Sequence, residues 1–376
     1  MAYFLWVVIT TCLLFNGFVM AAGSDMATTQ LIQQLGLKES PQAIREAGFW
    51  RKPKRIVVLL EERQQQSMPD AANWLQQVVG DAELVVAQTR AEMVFLLDDA
   101  DVLLGYCTHE TLENGTQLRY ILNYSAGVDR CMKSDLVRER DFLLTNMQRI
   151  YGPGIAEHVM AMMYMLTRKL HIFHDKQRQH DWDRSAVKRT EMWELQGRTM
   201  LVVGLGGIGT EVARRAQALG MRVIATRNSS RKGPEFVDYV GLAHELPALA
   251  GQADVVVNAT PLTPATLGLF DSKLFRQMKP GAYFINVGRG KSVVTEDLID
   301  ALNTGHLGGA ALDVQDPEPL PREHPLWSAK NIIITPHISA GSSEQMDRFW
   351  LLVRENLRRY VNGERMLNVV DIKDGY

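Results

Sequence analysis

In the segment Met200-Leu201-Val202-Val203-Gly204-Leu205-Gly206-Gly207-Ile208-Gly209, an apolar run ends in glycines at G-x-G-x-x-G spacing. The spacing alone says little. It gains meaning when a strand enters the loop and a helix leaves it. Both conditions hold here: the strand reads Met200–Val203, and the helix runs to Leu219 with Gly220 placed as its C-terminal cap. Each glycine has its own task. Gly204 permits the tight turn, Gly206 lets backbone approach a pyrophosphate, and Gly209 lets the helix pack closely on the strand. Gly207 and Ile208 open the helix, whose N-terminal dipole attracts phosphate. A purely structural glycine turn is the competing reading, and the strand–loop–helix context argues against it.

The same rhythm extends outward. Met200–Val203, Arg222–Thr226, Asp254–Ala259, Ala282–Val287, Ala310–Asp313 and Ile332–Thr335 are short apolar runs separated by helical segments. Six such strands predict a complete doubly wound α/β sheet, a Rossmann dinucleotide-binding domain. Upstream, Arg55–Leu60, Glu83–Ala87, Asp101–Leu104, Arg119–Asn123 and Phe142–Thr145 predict a second parallel α/β domain. Between the two series, Tyr151-Gly-Pro-Gly154 opens one long helix expected from Ile155 to about Trp182. Met160, Met162, Met163 and Met165 on it read as core filling. His171, His174 and His180 read as a solvated face, and no metal site is expected.

The resulting division is 1–22 as a targeting segment, 23–53 as a linker with one or two short helices, 54–150 with 345–376 as one domain, and 151–344 as the dinucleotide domain. Tyr3–Ala22 is apolar without a charge and ends in small residues. It reads first as an export signal, second as an uncleaved membrane anchor and third as a soluble helix. Membrane contact is expected only there. Over 376 residues, 41 basic and 43 acidic side chains give a net charge of −2, which excludes a broad basic nucleic-acid surface. Hydrophobic residues at 46% exclude disorder, and three cysteines exclude a disulfide scaffold. Cys107 and Cys131 are left open between a pair, should the chain be exported, and two free buried thiols.

The second strand of the dinucleotide domain ends in an informative way. An acid about 20 residues past the glycine loop binds the ribose hydroxyls of NAD. Here the stretch is Ala225-Thr226-Arg227-Asn228-Ser229-Ser230-Arg231-Lys232, and no Asp or Glu lies between Met221 and Pro234. Arg227, Ser229 and Arg231 suit a 2′-phosphate, so NADP(H) is expected in preference to NAD(H). The competing reading for Arg231 and Lys232 is a solvated basic loop.

Ligands in such sheets bind beyond the carboxyl ends of the strands. There the chain places Thr260-Pro261, Val287-Gly288-Arg289, Asp313, Glu318 and His337. An arginine, a glutamate and a histidine at successive strand ends suit proton delivery to a carbonyl oxygen beside a carboxylate.

At this point the chain resembles the D-isomer-specific 2-hydroxyacid dehydrogenases over roughly 55–361. The segments that carry the likeness are Ser125-Ala-Gly-Val-Asp129, Gly154-Ile-Ala-Glu-His158, Glu194-Leu-Gln-Gly197, the glycine loop, Thr260-Pro-Leu-Thr263, Met278-Lys-Pro-Gly281, Asn286 to Gly290, Gly309-Ala-Ala-Leu-Asp-Val314, Glu318-Pro-Leu320 and Thr335-Pro-His337. Glyoxylate and hydroxypyruvate reductases are closest in general character. The resemblance implies a flavodoxin-like substrate domain beside the Rossmann domain, and reduction of a small 2-keto acid to a D-2-hydroxy acid, or the reverse. It assigns Arg289, Glu318 and His337 to catalysis. It assigns the amides of Ala126 and Gly127, with Arg289, to the substrate carboxylate, and Asp313 to the neighbourhood of the nicotinamide amide. It also implies a homodimer formed through residues 154–182. Two alternatives stay open: a dinucleotide-sensing, corepressor-like binding protein, and a dehydrogenase of another small anion on the same fold. The Glu–His pair argues against formate. The compartment is left in conflict, since the first residues read as export and the cofactor suggests cytoplasm.

Overall fold

A computed structural model describes residues 26–373. The targeting segment expected at 1–22 lies outside them. The described chain forms two compact units, one ending at Ile150 and resuming at Ser343, the other spanning Tyr151–Ser342.

The first unit opens with a helix at 26–35 and a short strand, β1 (Glu39–Ala43). Then come β2 (Arg55–Leu59), β3 (Glu83–Ala87), β4 (Val102–Gly105), β5 (Tyr120–Asn123) and β6 (Leu143–Asn146). These five form one parallel sheet in the order β3-β2-β4-β5-β6. Strands covered on both faces read as continuous apolar runs, which is why Ile-Val-Val-Leu in β2 is fully buried. The unit also contains a disulfide between Cys107 and Cys131, both buried, which resolves the choice left open above.

The second unit contains β7 (Thr199–Val203), β8 (Arg222–Thr226), β9 (Tyr239–Gly241), β10 (Val255–Asn258), β11 (Tyr283–Asn286), β12 (Gly309–Leu312) and β13 (Ile332–Ile334). Their order is β13-β12-β11-β10-β7-β8-β9, all parallel. The order reverses beside β7, so the glycine loop leaves the sheet at its switch point. Seven strands stand where six are expected. The extra one, β9, has three residues and pairs only with β8, too short for periodicity to register.

The single long helix expected over residues 155–182 is two helices, Gly152–Thr167 and Leu170–Arg178. Lys169 breaks it with a left-handed φ of 56°. Its side chain is 5% exposed, and its ammonium lies 5.3 Å from the centroid of the Tyr283 ring. A tertiary cation–π contact thus accompanies a turn that local propensity does not signal. Met160, Met162 and Met163 are buried in the core, and Met165 is partly buried against it. His174 and His180 are exposed. His171 departs from the solvated face: its Nδ1 lies 3.0 Å from the Met165 carbonyl.

The chain re-enters the first unit through the helix Gln345–Val361 and ends in β14 (Arg365–Leu367). β14 pairs antiparallel with β1. The stretch expected to be a linker therefore includes a strand. Glu-Ser-Pro-Gln-Ala has no apolar alternation to announce it, and its proline is tolerated because the strand sits at an edge.

Candidate active site

The glycine loop is built around close backbone approaches. Gly204 has φ 95°, and a Cβ there would lie 2.9 Å from the Ala259 carbonyl oxygen. A Cβ on Gly209 would lie 2.1 Å from the Gly204 carbonyl, so the helix Gly207–Ala218 meets the strand only because Gly209 has no side chain. Gly206 is different: it is exposed, and a Cβ there would meet nothing within 4 Å. The space over Gly206 is a cradle, and the helix that starts there has no side-chain cap. Open backbone, an uncapped helix start and the sheet switch point fit a dinucleotide pyrophosphate.

At the end of β8, Arg227 is half-buried and donates to the Lys232 carbonyl at 2.9 Å. Ser229 is exposed beside it. Arg231 is not merely solvated. It donates to the Tyr239 hydroxyl at 2.8 Å and pairs with Glu245 at 2.7 Å. Tyr239 in turn donates to Glu245 at 2.5 Å, as does the Leu242 amide at 2.7 Å. The Tyr239 hydrogen bond first, then the Leu242 amide, hold the Glu245 carboxyl below its ordinary value. Sequence reading missed Glu245 because it lies beyond the stretch searched for a ribose-binding acid.

Behind the next two loops lies a buried polar network. Asn258, at the end of β10, accepts from both the amide and the hydroxyl of Thr260, which leads into Pro261. It donates to Asn286 at 2.9 Å and to Ser292 at 2.7 Å. Asn286 accepts from the Gly288 amide and donates to the Arg289 carbonyl, to which Ser292 also donates. Val287 and Gly288 are buried, and a Cβ on Gly288 would lie 2.7 Å from the Thr260 carbonyl. The Thr260 turn and the Arg289 turn are therefore fixed by one set of bonds, with every member satisfied. Arg289 itself is half-buried and donates to the Gly288 carbonyl at 2.8 Å. Asn258, Asn286 and Ser292 escaped functional notice. Their signal is an asparagine closing an apolar strand, a polar side chain that must find partners once buried.

Glu318 and His337 come together directly, with Nδ1 of His337 2.6 Å from Oε1 of Glu318 and both side chains reachable by solvent. His337 has φ 52°, and its amide donates to the Asp313 carbonyl. The Asp313 side chain, 1% exposed, accepts from the Thr335 hydroxyl at 2.7 Å and from the amides of Ile338 and Ser339. Burial alone would push its carboxyl up; the bonds from Ser339, Thr335 and Ile338 outweigh it and hold the group below the ordinary value. Asp313 thus braces the 335–339 turn that carries His337. His158 adds a further tie, its Nε2 lying 3.0 Å from the Thr335 hydroxyl.

In the first unit, Ala126 and Gly127 lie on the turn after β5. The carbonyls of Ser125 and Gly127 accept from the Asn123 carboxamide, and that of Ala126 accepts from Asn146. Among the described residues, the Ala126 and Gly127 amides meet no acceptor.

Comparisons with known proteins bear on this arrangement. Residues 160–339 match the model of the D-isomer specific 2-hydroxyacid dehydrogenase NAD binding domain. A glyoxylate reductase of Pyrococcus furiosus is 32% identical over 287 residues, 73% of this chain and 83% of that protein. The crystal structure of a D-isomer specific 2-hydroxyacid dehydrogenase family protein from Aeromonas salmonicida is 30% identical, with a TM-score of 0.72 over 85% of this chain and 99% of that one. The chain belongs to the D-isomer-specific 2-hydroxyacid dehydrogenase family. A structure of an NADPH-dependent glyoxylate/hydroxypyruvate reductase from Sinorhizobium meliloti, in complex with NADP and sulfate, is 26% identical, with a TM-score of 0.72 over 86% of this chain and all of that one.

The protein is accordingly an oxidoreductase of 2-hydroxy acids that uses a nicotinamide dinucleotide. A nicotinamide dinucleotide held over the glycine loop at Gly204, Gly206 and Gly209 would supply the hydride-transfer chemistry. With Glu318 at Nδ1, the His337 ring leaves Nε2 as the nitrogen that could exchange a proton with a ligand oxygen. The Arg289 guanidinium, anchored at its base by the asparagine network, can hold a carboxylate or a polarised carbonyl with its planar fork.

Proposed function

We propose that this enzyme reduces small 2-keto acids to D-2-hydroxy acids, and runs the reverse reaction, with NADP(H) preferred over NAD(H). The carrying observation is the Glu318–His337 pair at 2.6 Å on the sheet edge that also bears Arg289. Such a pair delivers a proton to a keto oxygen, and an arginine on the same edge of the sheet holds the acid group. Ala126 and Gly127 are the proposed backbone donors to the substrate carboxylate. The NADP(H) preference rests on Arg227, Ser229 and Arg231, and on the lack of an acid between Met221 and Pro234. It is supported by the NADP complex of the Sinorhizobium meliloti reductase. The glyoxylate reductase name of the Pyrococcus furiosus relative supports a small substrate.

The test is a panel of glyoxylate, hydroxypyruvate, pyruvate and larger keto acids, each with NADPH and NADH. Turnover confined to the small acids and more efficient with NADPH supports the reading. Equal or better efficiency with NADH overturns the cofactor preference, and no turnover with any keto acid overturns the activity. We also propose a homodimer in which the exposed Trp182 (92%) and Leu170 (48%) become covered. A single-protomer mass by light scattering would refute it.

A further inference from the structure

We propose that Asn123 and Asn146 are positioning residues for substrate binding, their carboxamides shaping the Ser125–Gly127 turn into an anion-binding backbone. The inference rests on the keto-acid reading above.

A peptide turn presents carbonyls and amides in nearly equal number. An anion is repelled by the first and held by the second. Here the carbonyls are drawn off. Asn123 Nδ2 donates to the Ser125 carbonyl at 3.0 Å and to the Gly127 carbonyl at 3.1 Å. Asn146 Nδ2 donates to the Ala126 carbonyl at 2.7 Å. The Met147 amide supplies a second bond to Ser125. All three carbonyls of the turn are thus bound within the unit, while the Ala126 and Gly127 amides have no acceptor among the described residues. Ser125, Ala126 and Gly127 are partly exposed, so the turn borders solvent.

Both asparagines are themselves pinned. Asn123 is 3% exposed and Asn146 is 2% exposed. Asn123 Oδ1 accepts from the Cys107 amide at 3.0 Å, and Asn146 Oδ1 from the Gln148 amide at 3.2 Å. These acceptor bonds fix which end of each carboxamide faces the turn. The two residues close adjacent strands, β5 and β6, in register with each other. A pair of amide side chains at neighbouring strand ends thus grips the turn from two sides. Neither side chain needs to touch the substrate.

The experiment compares Asn123→Ala and Asn146→Ala with the unaltered full chain. Three quantities are measured: kcat and KM for the best keto acid, the dissociation constant of oxamate with dinucleotide present, and the dissociation constant of the dinucleotide alone. Losing the grip on the turn should raise KM and the oxamate constant at least about tenfold, the scale of one lost hydrogen bond to a charged group. Saturating kcat and dinucleotide binding should stay near their unaltered values, a split that general destabilisation would not produce. If either variant fails to fold, the other carries the test, and Asn146→Ser serves as the milder replacement. Unchanged KM and oxamate binding in a folded variant overturns the inference alone. An unaltered protein that neither turns over keto acids nor binds oxamate overturns the reading beneath it, and the inference with it.

Discussion

Nδ1 of His337 lies 2.6 Å from Oε1 of Glu318, and the left-handed backbone of His337 is tied to Asp313 by its own amide. The ring is therefore held at two points, through its side chain and through its main chain. Replacing His337 with Gln should lower kcat by about a hundredfold or more, the usual scale for a lost general acid. Glu318→Gln should give a smaller loss, because the ring keeps a hydrogen-bonding partner at Nδ1 while losing only the carboxylate. Steady-state kinetics check both, and dinucleotide affinity measured by fluorescence should not change in either.

Arg227 and Arg231 are predicted to contribute differently to cofactor choice. The Arg227 side chain is braced only by the Lys232 carbonyl among its described side-chain bonds, whereas the Arg231 side chain is shared with Glu245 and Tyr239. Arg227→Ala should reduce kcat/KM for NADPH by roughly 10- to 100-fold, the worth of a charge-assisted contact to phosphate. Efficiency with NADH should move little. A parallel loss with both cofactors would remove Arg227 from 2′-phosphate recognition.

Asp313 gives a pH prediction with a definite sign. Its carboxyl is held below the ordinary value in the folded protein. The folded state therefore gains stability wherever the carboxyl is ionised in both states. That gain is lost as pH falls below about 4, the unfolded value, toward the depressed folded one. Asp313→Asn should be less stable at neutral pH and should show a flatter decline in acid. Thermal melts from pH 7 down to pH 3 decide this; curves that run parallel would contradict it.

The Cys107–Cys131 disulfide closes a loop with a sequence separation of 24. Loop-closure entropy puts its contribution at about 3 kcal/mol. Cys131→Ala should lower stability by that order, and reductant should lower the stability of the unaltered protein but not of the variant. Denaturant titrations with and without dithiothreitol make the comparison.

Much of the site is legible in the chain because its chemistry is local. The glycine loop, the cations after β8, and the residues at the ends of β11, β12 and β13 can be read from short segments. A strand end lies within a residue or two of where an apolar run stops. The same locality explains β2, β3 and β8, whose apolar runs mark their positions closely. It also explains why β1 and β9 were missed, since neither carries an apolar alternation long enough to register.

The rest depends on residues that meet only after folding. No local pattern tells Lys169 to break a helix against Tyr283, Glu245 to take hold of Arg231, or Glu39 and Leu367 to become strand partners. The choice between paired and free Cys107 and Cys131 was equally undecidable along the chain. Composition and periodicity specify which faces must be buried, because apolar burial is additive and non-directional. Hydrogen bonds and ion pairs are directional, and in a buried site a polar group is satisfied only by the partner that the completed fold places within about 3 Å. For that reason the class of enzyme was readable from segments, while the bracing of Arg289, His337 and the Ser125–Gly127 turn was decided by the three-dimensional arrangement.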